Sequence, residues 1–335
     1  MKRIISLLLA LALTLSLTAC TVPAEKADGG KLQIVTTLFP YYDFARTIAQ
    51  DRADVTLLLS PGREAHSFEP TPLDAVTISE ADVFLYNGGE GEYWVESMLD
   101  AAGEHIAVAS RMMDYVDALD EEYVEGMQGA DGHDHDHEHG SHDDHDNDHE
   151  EDEHDSDEVE YDEHIWTSPK NAVILCRAVC DAICRADAEN AAFYRANCEN
   201  YCAQLEDLDA RFAALCESAP RRLLIFADRF PMLYFCREYG LDYRAAFHGC
   251  SGDTEPSLAT IKFLIDKVED ENIPVVYTID FGTKKVAAVV SECTGAAIET
   301  LYSMQTVSRA DFDAGETYLT LMERNFEALR KGLNA

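Results

Sequence analysis

Histidine is the residue type that most clearly suggests chemistry in this chain, because eight of its twelve histidines lie in one acidic segment. Residues 131–163 consist mostly of Asp, Glu and His, and they contain His133, His135, His137, His139, His142, His145, His149 and His154. Imidazole and carboxylate groups bind divalent transition metals. A tract this polar cannot bury enough apolar surface to fold. We therefore expect residues 131–160 to form a disordered loop that binds metal ions weakly.

Two of the remaining histidines have neighbours typical of an ordered site. His66 lies between Pro61 and Pro72, just after a predicted strand, and His164 lies between the acidic loop and a long predicted helix. Open α/β sheets bind ligands beyond the carboxyl ends of their strands, which is where His66 is expected. His248 also follows a predicted strand, whereas His105 begins one at the far side of its lobe and is expected to be structural.

Apolar strands and amphipathic helices alternate on both sides of residues 169–218. Strands are predicted at 32–37, 54–60, 81–89 and 105–110, and then at 222–227, 241–247 and 274–280. Helices are predicted at 41–50, 94–102, 232–239, 258–269, 285–293 and 317–333. The alternation predicts parallel sheets flanked by helices. Residues 169–218 have no Gly or Pro after Pro169, so they are interpreted as a long linking helix, interrupted near Asp187.

The predicted fold is therefore α/β, with two lobes joined by one long rigid helix. The first lobe comprises residues 31–168, including the acidic loop, and the second comprises residues 219–335. A boundary between two lobes is a favoured place for a ligand, so the metal is expected in the inter-lobe cleft.

The charge of the chain argues against nucleic acid and anionic lipid as ligands. The 335 residues include 64 acids and 26 Lys or Arg, which gives a formal net charge of −38. Residues 112–169 contain 24 of the acids and no Lys or Arg. Phosphate groups are bound by Lys and Arg, so this balance favours a cation instead.

The N-terminus has the pattern of an export signal. Lys2 and Arg3 precede a largely apolar run, Ile4 to Leu17, which is short for a membrane span. Residues 1–19 are therefore interpreted as a signal peptide. The end of this run resembles a bacterial lipobox, which implies cleavage before Cys20, a lipid on its thiol, and a tether over residues 20–30.

Five of the nine other cysteines show helical rather than disulfide spacing. Cys176, Cys180 and Cys184 are four residues apart, as are Cys198 and Cys202. Such spacing places each set on one face of a helix, where disulfide geometry is poor. We expect these cysteines to be small, buried apolar residues.

The neighbours of His66 and His164 resemble two motifs of the metal-binding lipoproteins of zinc and manganese ATP-binding-cassette (ABC) importers. In that family the first ligand lies in a His-x-x-Glu-Pro-Thr-Pro-like turn, matched by residues 66–72. The second lies in an Asp-x-His-x-Trp-x-x-Pro-like turn after a His-rich loop, matched by residues 162–169. Residues 226–241, 255–257 and 315–333 also match. The resemblance implies two lobes and one metal ion in the cleft, bound by His66 and His164.

Two family positions are not matched by metal ligands here. The third ligand position falls on Ala227, and the fourth falls around residues 303–305, where no carboxylate occurs. Tetrahedral zinc needs about four donors. Side chains at adjacent strand ends, about 4.8 Å apart, can converge on one ion. The candidates in the second lobe are therefore Asp228 and His248, of which we expect at least one to bind, with Asp280 and Glu255 in reserve.

The resemblance implies extracytoplasmic capture of a divalent metal by a monomer that is anchored to the cell membrane by lipid alone. It also implies delivery to a cognate ABC permease and its ATPase. Histidine-rich ligation favours Zn²⁺ over Mn²⁺. The alternatives are a surface adhesin with a structural metal and a zinc-dependent hydrolase. The chain contains neither HExxH nor GxSxG, so an enzyme is not expected.

Overall fold

A computed structural model describes residues 30–65, 68–103, 106–128, 160–251 and 255–334. The predicted signal peptide, Cys20 and nearly all of the tether lie outside the described residues. So do His66, His105 and the acidic loop with its eight histidines. The description below concerns the compact unit that begins at Leu32.

The first lobe is a four-stranded parallel sheet with strand order β2-β1-β3-β4. Its strands are β1 (Leu32–Thr36), β2 (Ala53–Leu57), β3 (Val83–Tyr86) and β4 (Val108–Arg111). Its helices are α1 (Phe39–Ala49), α2 (Pro72–Ser79) and α3 (Val95–Ala102). Helix α2 begins with a capping box, in which Thr71 accepts from the N–H of Asp74 and Asp74 accepts from the N–H of Thr71.

The second lobe repeats this topology with strand order β6-β5-β7-β8. Its strands are β5 (Leu223–Phe230), β6 (Asp242–His248), β7 (Val275–Ile279) and β8 (Ala297–Leu301). Its helices, numbered after α4 and α5 of the linking region, are α6 (Leu233–Tyr239), α7 (Leu258–Asp270), α8 (Lys285–Thr294), α9 (Arg309–Asp313) and α10 (Tyr318–Leu333). Both sheets are wholly parallel, so the predicted α/β class with two lobes is confirmed.

The linking region contains two helices rather than one. Helix α4 (Pro169–Ala186) and helix α5 (Ala191–Ser218) are separated by a 3₁₀ turn, Ala188–Asn190. Asp187 caps this turn by accepting from the backbone N–H of Asn190. The helix is interrupted at Asp187, as the sequence predicted. An Asp side chain can accept a hydrogen bond from the first N–H groups of a new helical turn, which favours a new start over continuation of the helix. None of the described helices combines the length and the apolarity needed to cross a bilayer.

A buried carboxylate ties the linking region to the rest of the molecule. Asp43 on α1 is fully buried and accepts from the Tyr201 hydroxyl of α5 at 2.7 Å and the Tyr318 N–H of α10 at 3.0 Å. Arg46 supplies the opposite charge at 2.8 Å. A buried charge is tolerated when it is paired and hydrogen-bonded in this way. The network fixes α5 against both lobes.

The two lobes meet at the carboxyl ends of their strands. The N–H of Phe39 donates to Gln305 O at 3.3 Å, and the N–H of Gly62 donates to Val307 O at 2.8 Å. The indole N–H of the buried Trp166 donates to Ser303 O at 2.7 Å. The segment around residues 303–307 therefore lies against the turn that contains His164.

Candidate metal centre

His164 is a buried histidine held by a carboxylate two residues before it. Asp162 Oδ1 accepts from the backbone N–H of His164 at 2.7 Å and lies 3.2 Å from His164 Nδ1. Trp166 packs edge-on against the imidazole, with ring centroids 5.6 Å apart. A carboxylate on one ring nitrogen is the usual support of a metal-binding histidine, because it fixes the ring and directs the metal to the other nitrogen.

The charges around His164 favour a cation. Burial lowers the pKa of His164, but the nearby carboxylates of Asp162, Glu121 and Glu163 raise it by more, so the net shift is upward. An environment that stabilises an imidazolium also stabilises a bound metal ion, since both place positive charge at the ring. Protons and metal therefore compete for His164.

The loop after β3 holds the other side of the His164 turn. Asn87 donates to Glu163 O at 3.0 Å, and the N–H of Gly91 donates to Glu163 Oε1 at 2.7 Å. Gly89 has φ +93°, and a Cβ there would collide with the Glu163 carboxylate. Glycine is therefore required at Gly89 for both its backbone conformation and the close approach of Glu163.

His248 is the last residue of β6, and it faces a carboxylate from the first lobe. His248 Nδ1 lies 3.4 Å from Glu121 Oε1, and the N–H of Gly249 donates to the same oxygen at 2.8 Å. Gly249 also touches His164, since a Cβ at this position would lie 3.1 Å from His164 Nδ1. Glu121 of the first lobe thus contacts His248 and Gly249 of the second lobe, and Gly249 in turn lies against His164.

Glu121 carries its charge despite its burial. Its side chain is 4% exposed. Burial raises the pKa of Glu121, but the contact with His248, the charge of His164 and the Gly249 N–H together bring it below its usual value. Its Oε2 is buried and accepts from no described group. A buried anionic oxygen without a donor is a natural place for a cation.

Stretches of chain on either side of the acidic loop pair next to Glu121. Asp120 and Tyr161 form an antiparallel bridge, the N–H of Glu121 donates to Glu160 O at 2.8 Å, and that of Asp162 donates to Leu119 O at 2.9 Å. The chain therefore leaves the segment of eight clustered histidines beside Glu121 and His164, whereas Gln128, the last described residue before that segment, donates to Ala246 O of β6 at 3.0 Å.

Asp228 and Asp280 lie at the carboxyl edge of the second sheet, as their sequence positions predicted. Asp228 falls inside β5 rather than after it, because β5 continues through an irregularity between Phe226 and Arg229. Its Oδ2 is buried, accepts from no described group and abuts Gly282. Asp280 accepts from the N–H of Ser303 at 3.2 Å, and burial raises its pKa to about 6.

A cross-lobe ion pair lies in the pocket that His164 lines. Arg229 of β5 approaches both carboxylate oxygens of Glu64, at 3.3 and 3.1 Å. Glu64, Arg229 and His164 line this pocket together with Ser303 and Gln305. Ser303 and Gln305 belong to the segment where the family's fourth ligand was expected, so this segment reaches the site although it supplies no carboxylate.

Glu255 lies away from this pocket. It is exposed on the surface, where its carboxylate is 3.6 Å from Lys285 Nζ.

His66 is outside the described residues, but its neighbours in the chain lie near His164. Glu64 and His164 line one pocket, and Ala65, Phe68 and Glu163 line another. The two ends of the His66 segment therefore lie next to the His164 turn. No three described donors of this site lie within 4.8 Å of one another, so an ion would need His66 or a shift of side chains.

Sequence reasoning missed Glu121, Glu64 and Arg229. Glu121 stands in an acidic stretch in which no single carboxylate is distinctive, and only the pairing of the loop ends selects it. Glu64 and Arg229 also lack a local motif that would identify them as site residues.

Comparisons with known proteins agree with this architecture. Residues 34–332 match the ZnuA family, described as zinc-uptake complex component A, periplasmic. The high-affinity zinc uptake system protein ZnuA of Bacillus subtilis is 30% identical over 316 residues, which cover 93% of this chain and 91% of that protein. The zinc-binding lipoprotein AdcA of Streptococcus pneumoniae strain R6 is also 30% identical, and the match covers 99% of this chain but 61% of AdcA.

Solved structures show the same fold. The Zn(II)-bound ZnuA-like domain of Streptococcus pneumoniae AdcA superimposes with a TM-score of 0.71 at 26% identity, covering 91% of this chain and all of that domain. The zinc-binding protein TroA of Treponema pallidum, at 20% identity, has a TM-score of 0.71 and supports the fold alone. Because the family match spans most of the chain and the B. subtilis relative matches along nearly its whole length, this chain belongs to the ZnuA family of zinc-uptake proteins.

Proposed function

We propose that this protein captures Zn²⁺ outside the cytoplasm and delivers it to a cognate ABC permease. The observation that carries the proposal is His164, a buried imidazole oriented by Asp162 at the meeting of two lobes. Membership of a family of zinc-uptake components supports the same conclusion and a transport role rather than an enzymatic one. Zn²⁺ is the cargo, and Mn²⁺ is less favoured because the best donors are imidazoles.

The proposed ligands are His66 and His164, completed from the second lobe. Among the second-lobe candidates His248 is favoured, because it contacts Glu121 and directly precedes Gly249, which lies against His164. Asp228 is the next candidate, since its buried Oδ2 accepts from no described group. Asp280 is engaged with Ser303, and Glu255 is paired on the surface, so neither is included. Glu121 is added as a carboxylate that neutralises the ion or binds it directly.

The proposed release step follows from the ligand chemistry. A neutral imidazole binds Zn²⁺ and loses it on protonation, so affinity should fall at low pH. Donors from both lobes must be present together for a four-coordinate ion. A small separation of the lobes would therefore remove the second-lobe donors and leave the ion weakly held for transfer to the permease.

The acidic loop and the N-terminus have supporting roles in this proposal. The eight loop histidines, from His133 to His154, would concentrate Zn²⁺ weakly at the cleft, since the chain leaves the loop beside Glu121. Cys20 would carry the lipid that retains the protein at the membrane, as the lipobox-like sequence suggests. The partners would be the permease with its ATPase, and the chain would act as a monomer.

The experiment is a zinc titration of ligand variants in competition with a chelating dye. His66→Ala and His164→Ala should each abolish tight binding, because either loss leaves too few donors for tetrahedral zinc. His105→Ala is the matched control, since that histidine lies outside both ligand motifs and should bind as wild type. Tight binding retained by His66→Ala or His164→Ala would contradict the proposed site.

A further inference from the structure

A cluster of thiols lies at the interface between α4 and α5. Cys176, Cys180 and Cys184 lie on one face of α4, and Cys198 and Cys202 lie on the facing side of α5. All five side chains are buried, with at most 7% exposure. The four-residue spacing on each helix brings the two rows together, which the sequence pattern did not by itself predict.

The sulfur positions match the spacing of a metal–thiolate site. The Sγ atoms of Cys176, Cys198 and Cys202 all lie within 4.8 Å of one another, and those of Cys198 and Cys202 are 3.8 Å apart. Zinc–sulfur bonds of about 2.3 Å in tetrahedral geometry require sulfur atoms about 3.8 Å apart. Among the described His, Cys, Asp and Glu residues, these three are the one group of three whose potential ligand atoms all lie within 4.8 Å of one another.

A fourth thiol and a positive charge adjoin the three. Cys180 follows Cys176 by one turn on the same face of α4, and its Sγ lies 4.0 Å from that of Cys184. Contacts with Cys176 and Cys180 lower the pKa of the Cys198 thiol, whereas contacts with Cys198 and burial raise the pKa of Cys176 and Cys180. A thiol must lose its proton to bind a metal, so Cys198 is the thiol that ionises first, and the Arg177 guanidinium favours its charge.

We propose that Cys176, Cys198 and Cys202, with Cys180 as the fourth donor, form a second metal site for a thiophilic divalent cation such as Zn²⁺. Each coordinating thiol releases one proton, so the four-thiolate site carries two net negative charges. Arg177, which also pairs with Glu206 at 2.9 Å, stands at the edge of the cluster and offsets part of this charge.

Such a site would join α4 to α5 as a structural staple and not act as a transport site. The sulfurs are buried between two helices, so the ion would enter while the helices pack and would not exchange like the cargo. The proposal does not depend on zinc capture at His164, because no residue is shared between the two sites.

The test uses Co²⁺ as a spectroscopic substitute for Zn²⁺ in the mature chain, refolded without oxygen. Cysteine ligation gives a sulfur-to-cobalt charge-transfer band, which His and Asp ligands do not produce. We expect this band in the wild type and in His164→Ala. We expect it to fall to background in the triple variant Cys176→Ala, Cys198→Ala, Cys202→Ala.

The control is Cys216→Ala with Cys236→Ala, two buried cysteines outside the cluster, which should keep the band. If the triple variant fails to fold, the His164→Ala variant still tests the proposal. It keeps every cysteine of the cluster but lacks a proposed ligand of the cleft site, so a charge-transfer band in this variant would come from the cysteines. Absence of the band from the wild type would overturn the proposal. A disulfide between α4 and α5 in protein purified without oxygen would also overturn it.

Discussion

Replacement of Asp162 by Asn tests how the proposed zinc ligand His164 is positioned. Asp162 Oδ1 receives the His164 N–H at 2.7 Å and stands 3.2 Å from Nδ1, and both residues are buried. Asn is nearly isosteric but uncharged, so it preserves packing while removing the carboxylate. Loss of a carboxylate that supports a metal-binding histidine weakens binding by about 10–100-fold, which corresponds to about 1.4–2.7 kcal/mol.

The assay is zinc competition against a chelating dye across a range of pH, with Asp207→Asn on the exposed face of α5 as the control. The Asp162 carboxylate raises the pKa of His164, so Asp162→Asn should lower that pKa. Protons then compete less at low pH, and the fall in zinc affinity should begin at a lower pH than in the wild type. An unchanged affinity and an unchanged pH profile would refute the role given to Asp162.

Three further predictions follow from the site and its surroundings. His248→Ala combined with Asp228→Ala should weaken zinc binding by at least about 10–100-fold in the same competition assay, and an unchanged dissociation constant would exclude both as ligands. Deletion of residues 131–158 should remove several weak sites and keep one tight site by calorimetry; loss of the tight site would make the loop the main binding element. Burial raises the pKa of Glu92 to about 7, so its contribution to stability falls as pH rises from about 4.5 through 7. At about pH 8, the free energy of unfolding of Glu92→Gln should therefore be higher than that of the wild type by up to about 3 kcal/mol. At about pH 4.5, the two free energies of unfolding should be nearly equal. Equal urea midpoints of the two proteins at both pH values would contradict this.

Much of the fold could be predicted because its strands are continuous apolar runs bounded by turns. Parallel strands that are covered on both faces have this pattern, as in Val275–Ile279, which is buried throughout. Strand β8 was missed because it is a partly exposed edge strand with a polar pattern, Ala297–Leu301. Helix α9 was missed because five residues are too few to show a helical period.

The sequence could suggest site residues only where the proposed ligands stand in local motifs. His164 and its partner Asp162 lie two residues apart, so the sequence contains their whole arrangement. Glu121 reaches His248 from 127 positions away, and nothing local distinguishes it from its acidic neighbours. Arg229 enters the pocket because β5 continues beyond Ala227, an irregularity that depends on the pairing of two strands. Contacts between residues this distant in the sequence can be identified only once the fold is known.

The most direct test of the central claim is a crystal structure of the zinc-loaded protein with anomalous data collected on both sides of the zinc absorption edge. The account predicts one strong anomalous peak in the cleft, bonded to His66 and His164 and completed by a donor of the second lobe. A cleft without a peak, or a cleft ion that contacts neither of these histidines, would contradict the account.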